Sequence, residues 1–155
     1  MKRRKIAAYA IFILITLAAG GLGAIVTSKG MPSFDQAAKP ALTPPDTVFP
    51  IVWTILYILV GIGMARVWLT GSRERSDALL IYAVQLILNF FWTVWFFGLE
   101  AYLFAFIWLL LLIMAIIIMI YSFYRMDRAA AYIQIPYLLW CIFAAYLNFG
   151  VWRLN

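Results

Sequence analysis

The chain has 155 residues, of which 67% are apolar and only 12% charged, with a net charge of +6, one cysteine and no histidine. The charged share is about half that of a soluble domain, which leaves no room for a separate soluble unit. The lack of histidine leaves no ligand set for zinc or haem iron, so any ligand is expected to bind without a metal.

Five apolar runs, 6–26, 49–65, 78–99, 101–124 and 129–152, come close to the ~20 residues that cross hydrocarbon. Lipid offers an unpaired backbone no water to bond, so each run is predicted as a helix. The expected fold is an all-α integral membrane protein, residues 1–155 forming a single domain, with helices over about 6–26, 49–69, 78–99, 101–124 and 129–152.

The first run follows Lys2, Arg3, Arg4 and Lys5, and its Ala18-Ala19-Gly20 resembles a signal-peptide cleavage region. It is longer than the usual 7–15-residue signal core, so retention as a helix is expected. Gly20, Gly21, Gly23 and Ala24 suit a close helix contact, within the bundle or across a dimer. Residues 27–48 form the only long connection, and Gly30, Pro32, Pro40, Pro44 and Pro45 are expected to keep it non-helical. A long stiffened loop over a compact domain reads as a lid. Asp46 or Thr47 is positioned to cap the second helix, with Pro50 tolerated in its first turn.

In the second run Trp53, Tyr57, Val60 and Met64 make one helical stripe, and in the third Gln85, Asn89, Trp92 and Phe96 make another. The Leu/Ile-rich fourth run, with Trp108, reads as lipid-facing surface or core filler. The fifth holds the stripe Trp140, Ala144, Leu147, Asn148 and Val151, where small Ala144 leaves space beside the Trp140 ring. Cys141 lies in the same run and has no partner for an internal disulfide. Trp68, Trp95 and Trp152 fall near run ends, where interfacial anchors belong.

Charge sets the orientation. With the N-terminus inside, the inner segments hold Lys2, Arg3, Arg4, Lys5, Arg66, Arg73, Arg75, Arg125 and Arg128, and the outer ones only Lys29, Lys39 and Arg153. That bias is a positive-inside signal and an anionic-lipid contact rather than a nucleic-acid footprint. The second helix then runs inward and the third and fifth outward. Trp53, Trp92, Phe96 and Asn148 fall in the outer half, beneath the proline-rich loop, with Asn89 and Trp140 at its floor.

Two readings of these stripes stand side by side. Asn89 and Asn148 can bond each other or a neighbouring backbone as interhelical glue, worth ~1 kcal/mol. Alternatively, amides and tryptophans on one face hold a large, flat, mostly apolar ligand, since polar groups inside a membrane usually mark a functional site. No carboxylate, Lys or His lies there to suggest an ion or proton path.

The chain resembles the translocator protein family, also called tryptophan-rich sensory proteins and, in animals, the peripheral benzodiazepine receptor. The resemblance covers nearly the whole chain. It lies in Lys39-Pro40 to Pro44-Pro45, Phe49-Pro50, Trp53-Thr54 and Leu56-Tyr57. It continues in Gln85-Leu86, Asn89, Trp92 and Phe96-Phe97-Gly98, then in Pro136-Tyr137-Leu138, Trp140, Phe143-Ala144, Leu147-Asn148 and Val151-Trp152-Arg153. It implies a five-helix bundle, often a homodimer, with a cavity closed by the first loop that binds porphyrins such as protoporphyrin IX; the short N-terminus and the inner charge bias suit a bacterial cytoplasmic membrane, with a mitochondrial outer membrane as the alternative. Trp53, Asn89, Trp92, Trp140, Ala144, Leu147 and Asn148 match the family's cavity residues, with Ala24 and Thr27 of the first helix nearby. Phe34 of the loop, Tyr57 and Phe96 complete the expected ligand-binding set.

The chain also departs from the family. Ser33-Phe34 and Leu42 stand where many members carry a Trp-Tyr pair and a later Trp, which removes loop aromatics above the ligand. The sterol-type pattern fails at the last helix, where Tyr146 is too far from Arg153 and Phe149 and Gly150 replace tyrosines, so sterol binding is not expected. Three functions fit. A tetrapyrrole receptor or carrier would stack the macrocycle on Trp53 and Trp140 and bond it through Asn89, with no further cofactor. A light-dependent porphyrin-degrading enzyme would use Trp53 and Trp140 as redox partners of the excited porphyrin. A scaffold would use the polar stripes only for packing.

Overall fold

The computed structural model describes residues 2–155, and all of its regular structure is helical. In chain order these are α1 (Lys2–Thr27), α2 (Met31–Gln36), α3 (Val48–Leu69), α4 (Arg75–Thr93), α5 (Tyr102–Met126), α6 (Arg128–Tyr132) and α7 (Ile135–Leu154). Helix α4 continues through a π-helical turn, Val94–Gly98, in which the Leu99 N–H reaches back to the Val94 carbonyl at 3.0 Å. Five stretches are long and apolar enough to cross a membrane: Lys2–Thr27, Val48–Leu69, Arg75–Gly98, Tyr102–Met126 and Arg128–Leu154. The protein is an integral membrane bundle with these candidate spans.

Helix α5 packs against both α4 and α7. Its fully buried Leu109, Leu112, Ile116, Met119 and Phe123 recur every three or four residues, so one stripe of an otherwise apolar helix faces inward. Leu110, Leu111, Met114, Ile117 and Ile118 are exposed on the other side. An apolar face this continuous suits lipid and not water.

Helices α1 and α3 cross most closely where glycine removes a side chain. A Cβ on Gly61 would lie 2.6 Å from the Ile13 Cα, and one on Gly20 would enter the Tyr57 ring. A Cβ on Gly23 would sit 3.1 Å from the Thr93 hydroxyl of α4, whereas Gly21 has open space beside it. Two of the small residues of α1 thus serve contacts within the bundle.

Three local features differ from the sequence reading. Residues 27–48 are not wholly irregular, because α2 forms inside them. Pro32 sits in its first turn, where the missing N–H is not needed, and Phe34 anchors it on Phe96 and Phe97 at ring-centroid distances of 5.4 and 5.1 Å. Thr47 occupies the N-cap position of α3 without a capping hydrogen bond, and Asp46 pairs with Lys39 at 3.6 Å instead. The last span is interrupted between α6 and α7, just before Pro136. There the buried Gln134 amide donates to the Leu59 and Ala130 carbonyls, both at 3.2 Å, and a Cβ on Gly63 would collide with it.

The end of the bundle away from the long loop is tied by charge. Arg66 of α3 meets Asp127 at 2.8 Å, and Asp127 caps α6 by accepting from the Ala130 N–H at 3.0 Å. Burial pushes the Asp127 carboxyl up. The hydrogen bonds from Ala130 and Arg66, with the guanidinium charge, outweigh that and hold it below the ordinary carboxylate value.

Candidate functional site

A cavity of about 360 Å³ opens in the half of the bundle beneath the long loop, bounded by α1, α2 and the following loop, α3, α4 and α7. Its size falls in the range of small-molecule sites. Of the twelve residues singled out from sequence, eleven line it: Ala24, Thr27, Phe34, Trp53, Tyr57, Trp92, Phe96, Trp140, Ala144, Leu147 and Asn148. The exposed lining residues Ala24, Ser28 and Met31 on one side, and Asp46 and Pro50 on the other, mark its mouth between the C-terminal end of α1 and the start of α3.

Trp53 is the hub of the walls. Its ring lies 5.5 Å from Tyr57, 5.8 Å from Trp92 and 6.5 Å from Trp140, the last edge-to-face at 88°. Trp92 stacks on Phe96 at 5.7 Å and 25°, one turn along α4, and Phe49 packs edge-on against Trp140 at 6.0 Å. Such offset and perpendicular pairs are the favoured geometries of aromatic rings, so they hold one another apart around the space. Ala144, the small residue next on the α7 stripe, lines the cavity where a larger side chain would fill it.

The polar residues are mostly engaged. Asn148 accepts from the Trp92 indole N–H at 3.1 Å and donates to the Tyr102 carbonyl at 2.8 Å. Asn89 does not line the cavity. It lies beneath the floor, accepting from the Tyr57 hydroxyl at 2.8 Å and donating to the Tyr137 hydroxyl at 2.9 Å, while Tyr137 donates to Gln85 at 2.7 Å. The geometry thus corrects the expectation that Asn89 faces a ligand: an amide surrounded by two phenols finds its partners in the protein. Nor do Asn89 and Asn148 bond each other. The Trp140 indole N–H, by contrast, is buried without a hydrogen-bond partner among the described residues.

The loop roofs this space. Met31, Phe34, Thr43 and Asp46 line it from above. The segment beyond α2 is pinned to the end of α7, where the Asn155 side chain accepts from the Ala38 N–H at 3.1 Å and donates to its carbonyl at 2.9 Å. Pro40 rests on Gly150, where a Cβ would come within 2.7 Å of the proline ring. Phe34 is 7% exposed, so its ring seals the roof without the hydroxyl of a tyrosine.

Sequence reasoning missed Tyr137, the fully buried centre of the floor network, and Phe49 and Phe97 in the walls. Phe49 was findable, standing one helical turn before Trp53. Phe97 was not, because the π turn shifts the register of α4 there. Trp108 is neither plain filler nor lipid surface, since its indole N–H donates to the Leu88 carbonyl at 2.8 Å and ties α5 to α4.

Comparison with known proteins matches the sequence model of the TspO/MBR family to residues 12–153. The chain is 36% identical over 155 residues to "Tryptophan-rich protein TspO" of Chlorobaculum tepidum, covering 98% of each chain. It is 34% identical to "Protein CrtK" of Rhodobacter capsulatus, covering 95% of this chain and 92% of that protein. It is also 35% identical to the human "Translocator protein", over 84% of this chain and 79% of that protein.

Proposed function

The chain belongs to the TspO/MBR family, and on that basis we propose that it is a membrane receptor or carrier for porphyrins of the protoporphyrin IX type, serving tetrapyrrole transport or stress sensing. The observation that carries this reading is the ring of Trp53, Trp92 and Trp140 around an apolar cavity beneath the loop. A flat macrocycle offers two π faces to such walls, and stacking on them needs no metal and no acid or base. The bias of basic residues to the inner segments supports an inner N-terminus in a bacterial cytoplasmic membrane. A homodimer belongs to the same proposal, and cross-linking in native membranes tests it.

The same tryptophans favour a second reading, light-dependent degradation of the porphyrin with Trp53 and Trp140 as redox partners. Illuminated turnover to a new pigment, lost in variants of both residues, distinguishes that activity from binding alone.

Titration of the purified, detergent-solubilised protein with protoporphyrin IX, followed by quenching of tryptophan fluorescence, tests the main reading. Saturable quenching that weakens in Trp140→Phe is the expected result. Non-saturating quenching equal in both proteins means partition into the micelle, and moves the scaffold reading ahead.

A further inference from the structure

We propose that Arg75 and Lys5, at the end of the bundle away from the long loop, form a phosphate subsite for an anionic phospholipid of the surrounding bilayer. The site is separate from the cavity and does not rest on the porphyrin reading. It grows from the way α1 and α4 run together. Thr16 of α1 bonds Tyr82 of α4 at 2.7 Å, Phe12 meets the Tyr82 ring at 5.9 Å, and a Cβ on Gly23 would sit 3.1 Å from the Thr93 hydroxyl. Contacts that advance along both chains together mean parallel helices. Seven residues, or two turns, before Phe12 and Tyr82 stand Lys5 and Arg75, on the same two faces. The two cations are therefore level with each other where the spans end.

The Arg75 donors are also free. Among the described residues Arg66 is tied to Asp127 at 2.8 Å and Arg125 to Glu74 at 2.9 Å, whereas the Arg75 side chain has neither an ion pair nor a hydrogen bond. Its guanidinium carbon lies 4.5 Å from the centre of the Trp68 ring, which is itself seated on Phe12 at 6.0 Å. Stacking on a ring uses the face of the guanidinium and leaves the N–H groups in its plane, so the head is fixed while its fork stays open. Such a fork matches the oxygens of a phosphate. Arg128 lies over Tyr124 in a similar way, at 5.3 Å, but both of those residues are exposed and water serves that head. Arg75 and Trp68 are partly buried.

A lipid is the source of phosphate that fits the adjoining surface. Leu79 and Ala83 continue the Arg75 face of α4 one and two turns into the span, and both are only partly buried. An acyl chain finds that apolar strip directly below a head group held by Arg75 and Lys5, and a free phosphate has no use for it.

The test follows the unfolding midpoint in detergent as the micelle is doped with dioleoyl phosphatidylglycerol or dioleoyl phosphatidylcholine, for wild type, Arg75→Gln, Lys5→Gln and Arg73→Gln. Half-maximal stabilisation of wild type is expected at an about fivefold lower mole fraction of the anionic lipid, the scale of one basic residue at an anionic surface. Arg75→Gln and Lys5→Gln each remove most of that preference. Arg73→Gln deletes the same charge from the exposed turn two residues away and leaves the preference intact. The ratio between the two lipids is the readout, so a variant that is merely less stable does not imitate the effect. An equal loss in all three variants means diffuse attraction by net charge and overturns the subsite. So does the lack of a preference in wild type, or an unchanged preference in Arg75→Gln or Lys5→Gln. Glycerol phosphate, the head without chains, is expected not to compete with the anionic lipid. Displacement by it makes this a site for a soluble phosphate and overturns the lipid assignment.

Discussion

The two halves of the bundle use similar side chains to opposite ends. In the half away from the long loop, polar groups tie helices together: Thr16 with Tyr82 at 2.7 Å, Gln134 on two carbonyls, and the chain from Tyr57 through Asn89 and Tyr137 to Gln85, although Gln85 Nε2, Gln134 Oε1 and Arg66 Nε stay buried without a partner among the described residues. In the half beneath the loop, large aromatic rings stand around a cavity, and the roof is held by a few contacts at its edges. The difference lies in where bulk is missing: the amides bond helix to helix, and Trp53, Trp92 and Trp140 stand around the space.

The largest effect is expected where the half away from the loop is tightest. Gly61→Leu places a branched side chain against the Ile13 backbone, which cannot move without separating α1 from α3. A loss of about 3 kcal/mol follows from overpacking of this kind, read as a lowered unfolding midpoint in detergent. A variant within 0.5 kcal/mol of wild type, on the scale of ordinary surface changes, breaks the contrast between a packed half and an open one.

Trp53→Leu probes the other side. The ring touches Tyr57, Trp92 and Trp140 but borders empty space, so its removal enlarges a cavity that already exists. Porphyrin affinity should fall about tenfold, or ~1.4 kcal/mol, while the unfolding midpoint changes little. A large loss of stability with unchanged affinity reverses the assignment and favours the scaffold.

Tyr137→Phe sharpens the boundary between the halves. It strands the Asn89 amide N–H and the Gln85 carbonyl, both buried, at a cost of about 1 kcal/mol on the scale of interhelical hydrogen bonds in membranes. Since the hydroxyl lies below the cavity floor, porphyrin affinity should hold within about twofold. A larger loss of affinity makes the network part of the ligand site.

Most of the architecture was legible because lipid permits so little else: five runs without central charges become five spans. The aromatic stripes were legible because residues three and four apart share a helical face. Asn89 was legible as a residue on the right face, but whether it meets a ligand or a phenol depends on Tyr57 and Tyr137, 32 and 48 residues away. Helix α2 was hidden for a similar reason. Gly30 and Pro32 argue locally for a loop, and the docking of Phe34 on Phe96 and Phe97 overrides them. The break before Pro136 needed Gln134 to find the Leu59 carbonyl on α3, which no local pattern encodes.

The smallest effect lies at the end away from the loop and follows from the sign of one shift. Asp127 is held below its ordinary carboxylate value of about 3.9, because Ala130 and Arg66 stabilise the charged form more than burial opposes it. A group whose value is lowered on folding contributes stability above its unfolded value, and loses it as pH falls through the folded one. The contribution is therefore intact at pH 5 and above, and fades below about pH 4. Arg66 is 38% exposed, so solvent screens the pair and less than about 1 kcal/mol is at stake. Asp127→Asn keeps a residue that can cap α6 but removes the charge. The unfolding midpoint of wild type minus that of the variant, followed from pH 6 to pH 3, should be small and positive and then close to zero. Subtracting the variant cancels the other carboxylates, which titrate in both proteins. A difference that grows as pH falls gives Asp127 the opposite shift, and makes that end a place where charge strains the bundle rather than fastens it.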